Sequence, residues 1–283
     1  MKYVFFGTPE FATIILKNLI KSRLEPQAVF RDPKEPVSVL IEKLKKLKPD
    51  LAVVAAYGKI LPKEILEIPH LGFLNVHPSL LPKYRGASPI QNAILNGDKE
   101  TGVTIMKIDE EMDHGDIISN FKFKISNLDT YELLSKKFAE LGAELLIKTI
   151  PDYVSGKTKP VEQDHLKATY TKIIKKGDGK IDWSRSAEEI ERMTRAYYPW
   201  PSAYTFVDLK SKKLNLLKII EADVSQEDKP KTGTVFLTGE NELAIKCGKK
   251  SLIIKKLQLE GGKVLLAKEF LNGHRDFIGS VLK

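Results

Sequence analysis

Asn75 and His77 stand two residues apart at the end of the apolar run Phe73-Leu74-Asn75-Val76. Alternate side chains of a strand share a face, so amide and imidazole can enter one cleft while Val76 packs behind them. A carboxylate source follows in the acidic turn Asp109-Glu110-Glu111-Met112-Asp113-His114-Gly115-Asp116. An amide N–H₂ can donate to a developing oxyanion. An imidazole changes charge near neutrality and serves as acid or base. A neighbouring carboxylate can orient that ring and favour its charged form. Together these groups suit acyl transfer to an amine. Taken singly, each has a plainer reading: Asn75 as a turn former, His77 as a satisfied histidine before a proline, and the acidic run as a solvated turn.

The elements that must position them can be read from periodicity. Val4-Phe5-Phe6, Ala28-Val29-Phe30, the apolar run Leu51 to Ala56, and Phe73-Leu74-Asn75-Val76 read as strands. Phe11 to Ile20 and Val37 to Leu47 carry apolar residues at helical spacing. Gln91 to Leu95 and Thr130 to Ile150 also read as helices, and Val103 to Ile108 with Ile117 to Ile125 as a strand pair flanking the acidic turn. This alternation predicts an α/β fold with a doubly wound, mostly parallel sheet over residues 1–150, where ligands collect at strand ends. Pro151, Gly156, Pro160, Gly177 and Gly179 mark 151–185 as a connection. Residues 186–283 begin with a helix from Ser186 to Arg195, Glu189 completing a capping box with Ser186. Five short strands follow, Ala203–Val207, Leu214–Ile220, Gly233–Leu237, Leu243–Cys247 and Ser251–Leu257, which suggests a small barrel of the oligonucleotide-binding type.

Composition narrows the class. The chain has 283 residues, 42% hydrophobic and 29% charged, as in a soluble globular protein. One cysteine, Cys247, precludes an internal disulfide and suits a reducing compartment. No apolar run nears the ~20 residues of a membrane span, and the N-terminus lacks a signal-peptide pattern, so a cytoplasmic location is expected. Net charge is +9. Residues 1–150 carry 21 basic against 19 acidic side chains, and residues 151–283 carry 25 against 18. The basic half suits a polyanion, although a lysine-rich surface kept for solubility reads the same. Gly7-Thr8-Pro9 follows a strand but lacks the dinucleotide spacing, and Pro9 removes an amide that phosphate would need. It reads as a tight turn at the cleft rim. Five scattered histidines show no metal-ligand spacing, so no metal is expected.

The run Asn75-x-His77-Pro78-Ser79-Leu80-Leu81-Pro82-Lys83 resembles the signature of the folate-dependent formyltransferases. That family's catalytic aspartate lies in a Leu/Met-Asp-x-Gly turn, here Met112-Asp113-His114-Gly115, with Gly102-Val103-Thr104-Ile105-Met106 resembling a second signature. The resemblance implies a catalytic trio of Asn75, His77 and Asp113. It implies 10-formyltetrahydrofolate as donor, in a slot formed by Ser79, Leu80, Leu81, Pro82, Tyr57, Gly58, Ile60 and Asp109. Packing alone would also account for Tyr57 and Ile60. An α-amino group has a pKa of ~7.7–8.0, lower in an aminoacyl ester, so much of the nucleophile is already neutral and positioning can supply much of the rate.

The acceptor is implied by the C-terminal half. Ala168-Thr169-Tyr170-Thr171, Lys180-Ile181-Asp182-Trp183, Arg195 to Tyr204 and Glu269 to Arg275 resemble family members that formylate initiator methionyl-tRNA. Lys175, Lys176, Lys212, Lys213, Lys249 and Lys250 are then candidate phosphate contacts, and each alone is an ordinary surface lysine. Trp200 reads as core rather than as a base-stacking platform. A monomer is expected. A sugar N-formyltransferase acting on a nucleotide-linked amino sugar is the alternative. One departure stands out. Family members usually carry a long basic loop after the second strand, whereas Phe30 here runs straight into Arg31-Asp32-Pro33-Lys34-Glu35-Pro36. The expectation is a break in the chain between Phe30 and Arg31. A genuine deletion would put discrimination of initiator tRNA by that loop in doubt.

Overall fold

Short apolar runs bounded by turn residues build the first sheet. Strands β1 (Tyr3–Gly7) and β3 (Leu51–Ala55) are buried along their whole lengths, as strands covered on both faces must be. The computed structural model describes residues 1–208, 214–228 and 231–282. The chain forms two compact units. One is Met1–Ala93 with Lys99–Asn127 and Leu133–Ile173, and the other is Ile94–Asp98 with Leu128–Glu132 and Ile174–Lys283.

Between and after these strands come α1 (Glu10–Lys21), β2 (Ala28–Phe30), α2 (Val37–Leu47), α3 (Lys63–Leu66), β4 (Phe73–His77), β5 (Arg85–Gly86) and α4 (Pro89–Leu95). Then follow β6 (Glu100–Lys107), β7 (Ile117–Lys124), α5 (Tyr131–Val154) and β8 (Tyr170–Thr171). The sheet order is β2-β1-β3-β4-β6-β7. The first four strands are parallel, joined through helices, whereas β6 runs against both β4 and β7. A second, two-stranded sheet pairs β5 with β8, and sequence periodicity does not reveal it.

One face of the main sheet buries Val4, Phe6, Ala52, Val54 and Phe73 against Leu40 and Leu44 of α2 and Ile65 of α3. Phe6 stacks on Phe30 with ring centroids 4.5 Å apart and meets Tyr57 edge-on at 5.1 Å. On the other face α5 lies close to the strands. A Cβ at Gly142 would stand 2.6 Å from Val76 Cγ1, 3.5 Å from Val103 Cγ1 and 3.9 Å from Ile15 Cδ1. Val76 thus turns away from the side that Asn75 and His77 take, by simple alternation.

Two expectations are corrected here. Pro151 does not stop α5, which runs on to Val154. Near a helix end a missing N–H forfeits a single bond to the preceding turn, a cost that packing can absorb. The chain is also continuous from Phe30 to Arg31. Thr8 Oγ1 donates to Arg31 O at 2.8 Å, Lys34 N to Asp32 Oδ1 at 2.8 Å, and Tyr57 Oη to Asp32 O at 2.8 Å. Residues 31–36 are a complete, hydrogen-bonded connection from β2 to α2.

In the second unit α6 (Ala187–Tyr197) has the expected cap, Ser186 N donating to Glu189 Oε2 at 3.1 Å and Glu189 N to Ser186 Oγ at 3.3 Å. It precedes β9 (Ala203–Asp208), β10 (Leu214–Ser225), β11 (Val235–Leu237), β12 (Leu243–Lys246), β13 (Ser251–Leu259), β14 (Leu265–Leu266) and α7 (Ala267–Gly273). The curled antiparallel sheet has the order β11-β12-β13-β10-β9, with β14 on β13. Register shifts between Ile219 and Ala222 mark an irregularity where β10 can bend against β13. Trp183 is buried and donates from Nε1 to Thr205 Oγ1 at 3.2 Å. Trp200 is 56% exposed, which corrects its reading as core: it sits in the turn before β9, where no strand or helix phase directs it inward.

Candidate active site

The end of β4 and strand β5 converge on Asp113, which lies on the turn after β6. Asn75 Nδ2 donates to Asp113 Oδ1 at 3.3 Å, and Gly86 N donates to Asp113 Oδ2 at 2.8 Å. His77 Nδ1 stands 3.5 Å from Asp113 Oδ2, an ion-pair distance rather than a good hydrogen bond. The other ring nitrogen, Nε2, is 2.9 Å from Tyr84 O. A carbonyl only accepts, so Nε2 is the donor in this contact, and Nδ1 is the nitrogen that faces the carboxylate. His77 is buried at 3% exposure, while Asn75 and Asp113 are half-buried. Asp113 has φ +50°, in the left-handed region that few non-glycine residues occupy.

The run after His77 is tied to β6. Ser79 is fully buried, its hydroxyl donating to Lys83 O at 2.6 Å. Thr104 Oγ1 donates to Ser79 O at 2.7 Å and accepts from Leu81 N at 3.2 Å. Leu81 is buried, whereas Leu80 and Pro82 are half-buried. A Cβ at Gly102 would come 2.7 Å from Leu80 Cδ2, so that glycine lets Leu80 lie along β6.

The remaining expected folate residues divide in two. Tyr57 is core: 3% exposed, with its pKa raised by burial first and by Glu35 and Asp32 next, so its phenol stays a donor. Gly58 (φ +73°) has open space where a Cβ would project, and Ile60 is 74% exposed. Asp109 Oδ2 is 2.6 Å from His114 Nδ1, and its Oδ1 accepts from Glu111 N at 3.0 Å. That carboxylate is already engaged within its own turn. Among the described residues, no three His, Cys, Asp or Glu side chains converge as a metal cage.

Several residues that shape the site escape sequence reasoning. Tyr84 orients the imidazole through its carbonyl, and Gly86 holds the carboxylate through its amide. Neither uses a side chain, so residue type carries no signal. Of the candidate phosphate lysines, Lys250 is paired with Glu188 at 2.6 Å, while Lys175, Lys176 and Lys249 are exposed. Lys212 and Lys213 lie outside the described residues.

Comparison with known proteins adds a family match over most of the chain. Residues 8–150 match the Formyl transferase family and residues 173–275 match the Formyl transferase, C-terminal domain. The methionyl-tRNA formyltransferase of Caldanaerobacter subterraneus subsp. tengcongensis is 40% identical over 314 positions, covering 100% of both chains. That of Lachnospira eligens is 38% identical over 318 positions, covering 100% of this chain and 99% of its own. Both alignments are longer than the 283 residues of this chain, so each contains positions that this chain skips. Among solved structures, HypX from Aquifex aeolicus in complex with tetrahydrofolic acid shares the fold, with a TM-score of 0.71 and 19% identity. That match covers 98% of this chain, which spans about half of HypX, 48%.

Proposed function

The chain belongs to the formyl transferase family, and we propose that it transfers the formyl group of 10-formyltetrahydrofolate to the α-amino group of methionyl-tRNA, for translation initiation. One observation carries the mechanism: Asn75 and His77, both on β4, each stand within 3.5 Å of Asp113, which lies on the separate turn after β6. The full-length identity to methionyl-tRNA formyltransferases supports this acceptor over an amino sugar.

Bound in the cleft, 10-formyltetrahydrofolate supplies an activated formyl group. The open space at Gly58, the exposed Ile60 and the half-buried Leu80 and Pro82 fit the apolar faces of such a donor. Tyr57, Ser79 and Leu81 support that surface from within, and Asp109 holds the turn beside it. Asn75 spends one N–H on Asp113 and directs the other at the negative charge that develops on the formyl oxygen. As the amine nitrogen bonds to the formyl carbon, His77, anchored through Nε2, takes the amine's proton at Nδ1 while Asp113 stabilises the ring's charge; the proton then passes to N10 as the formyl–N10 bond breaks and tetrahydrofolate leaves. Because the attacking amine is largely neutral, orientation supplies a large share of the acceleration.

The second unit, with the basic balance of the C-terminal half, is the surface for tRNA phosphates, and the protein acts as a cytoplasmic monomer. No helix among the described residues is long and apolar enough to cross a membrane. The short β2–α2 connection leaves acceptor discrimination to other surfaces. The test follows labelled formyl from 10-formyltetrahydrofolate to charged initiator Met-tRNA, with uncharged tRNA and a nucleotide-linked amino sugar as parallel acceptors. Label on Met-tRNA alone is the expected result, and label on the amino sugar alone refutes the acceptor. Asn75→Ala, His77→Ala and Asp113→Ala should each lose most turnover while still binding folate. Wild-type turnover from His77→Ala would refute its role.

A further inference from the structure

Behind the Asp113 turn lies a buried polar cluster that the reaction as described leaves unused. At its centre is Gln163, 4% exposed, on the segment that follows the bridge between Val161 and Ile117. Gln163 Nε2 donates to Asp113 O at 2.9 Å and to Gly115 O at 2.7 Å. Its Oε1 accepts from Arg85 Nε at 3.2 Å and from Arg85 Nη2 at 2.8 Å. Both donors and both acceptor positions of the amide are therefore filled.

Arg85 fixes which way this amide points. Turned over, it would set its N–H₂ against a guanidinium and its oxygen against two carbonyls. The guanidinium, 1% exposed, directs two more of its donors at His165 Nδ1 at 2.8 Å and Tyr170 Oη at 3.2 Å. None of these partners is a carboxylate. A buried cation held only by neutral acceptors is a poor device for stability. Here its charge orients an amide, and the amide orients a turn.

That turn needs holding. Asp113 is in the left-handed region at φ +50°, and a Cβ at Gly115 would come 2.1 Å from Lys107 O. β5 grips the same aspartate twice. Gly86 N holds its carboxylate at 2.8 Å, and Arg85, one residue earlier, acts through Gln163 on its carbonyl. We propose that Gln163, oriented by Arg85, is a positioning residue for the transfer reaction: it sets the Asp113–Gly115 turn so that the Asp113 carboxylate meets Asn75 and His77. This rests on the assignment of Asp113 to the reaction.

The test is a double-mutant cycle read in kcat and KM. Gln163→Ala removes both sets of bonds. Gln163→Glu keeps an acceptor for Arg85 in nearly the same shape but loses the two donors, and it decides the matter if Gln163→Ala fails to fold by circular dichroism. In each folded variant kcat for formyl transfer should fall ~100-fold, the effect of a misplacement near 1 Å. KM for the folate donor should stay within about threefold, since ground-state binding is not the target. In an Asp113→Ala background the same changes should alter residual turnover by less than about twofold, because Gln163 acts through Asp113. Wild-type kcat in the folded Gln163 variants, or equal losses in both backgrounds, overturns the proposal and leaves Asp113 in place. Wild-type turnover from Asp113→Ala alone overturns the assignment of Asp113 and the proposal with it.

Discussion

Gly142 on α5 offers a test in which two known effects oppose each other. Replacing it by alanine favours the helix by ~0.8–1 kcal/mol, since glycine is the poorest non-proline residue in a helix interior. The new methyl, however, would lie 2.6 Å from Val76 Cγ1, a separation that real Cβ contacts do not show. Val76 cannot easily yield: it is 2% exposed, β-branched, and on a strand flanked by β3 and β6. Overpacking of this kind costs ~1–3 kcal/mol, so the net change is a loss of about 1 kcal/mol. For a domain of this size that lowers the transition by about 2–4 °C. Both tryptophans, Trp183 and Trp200, belong to the second unit, so the assay is calorimetry or circular dichroism rather than intrinsic fluorescence. Val76 stands between Asn75 and His77, and pushing it shifts both. Turnover should fall at least ~10-fold, since a misplacement near 1 Å can cost ~100-fold. Gly142→Val should be worse on both counts. A raised transition temperature with unchanged turnover in Gly142→Ala would show that α5 has room to move and would refute the reasoning.

Three further outcomes are expected. Ser186→Ala, which removes the α6 cap, should cost ~1 kcal/mol. Glu189 of the same cap has its pKa lowered to about 2, first by Arg185 and then by the Ser186 amide and hydroxyl. Its stabilising contribution is therefore complete above the ordinary glutamate value and disappears as pH falls toward about 2. A cap contribution, measured as wild type minus Ser186→Ala, that grew on acidification would contradict this. Burial pushes the Cys247 thiol up to about 12, so a thiol reagent at pH 8 should label it only after denaturation, and rapid labelling of the native protein would refute its placement. Trp200→Ala should change stability by less than ~0.5 kcal/mol, whereas Trp183→Ala, which empties a buried site, should cost ~3–5 kcal/mol. Equal effects would show that the exposure of Trp200 is misassigned.

Period and spacing were enough to recover α1, α2, α6 with its cap, and the longer strands of the two six-stranded sheets, though not β5, β8 or β14, because these elements answer to local rules: burial of one face, a cap three residues from its partner, glycine or proline at a turn. The same locality made Asn75 and His77 legible as a pair, since alternation along a strand puts them on one side with no help from elsewhere. The resemblance supplied Asp113 because the family's motif names its residue type. What local pattern could not supply was the holding of that aspartate. Tyr84 and Gly86 act through backbone groups, which every residue type carries. Gln163 and Arg85 are 78 residues apart and meet only when β8 pairs with β5. Exposure of Trp200, continuation of α5 through Pro151, and closure of the short β2–α2 connection were likewise settled by packing. Sequence thus determined which groups could do the chemistry and which elements bear them. Tertiary structure alone decided their distances, the proton-bearing nitrogen of His77, and the buried amide that steadies Asp113, because hydrogen-bond geometry between distant segments has no period for a sequence to display.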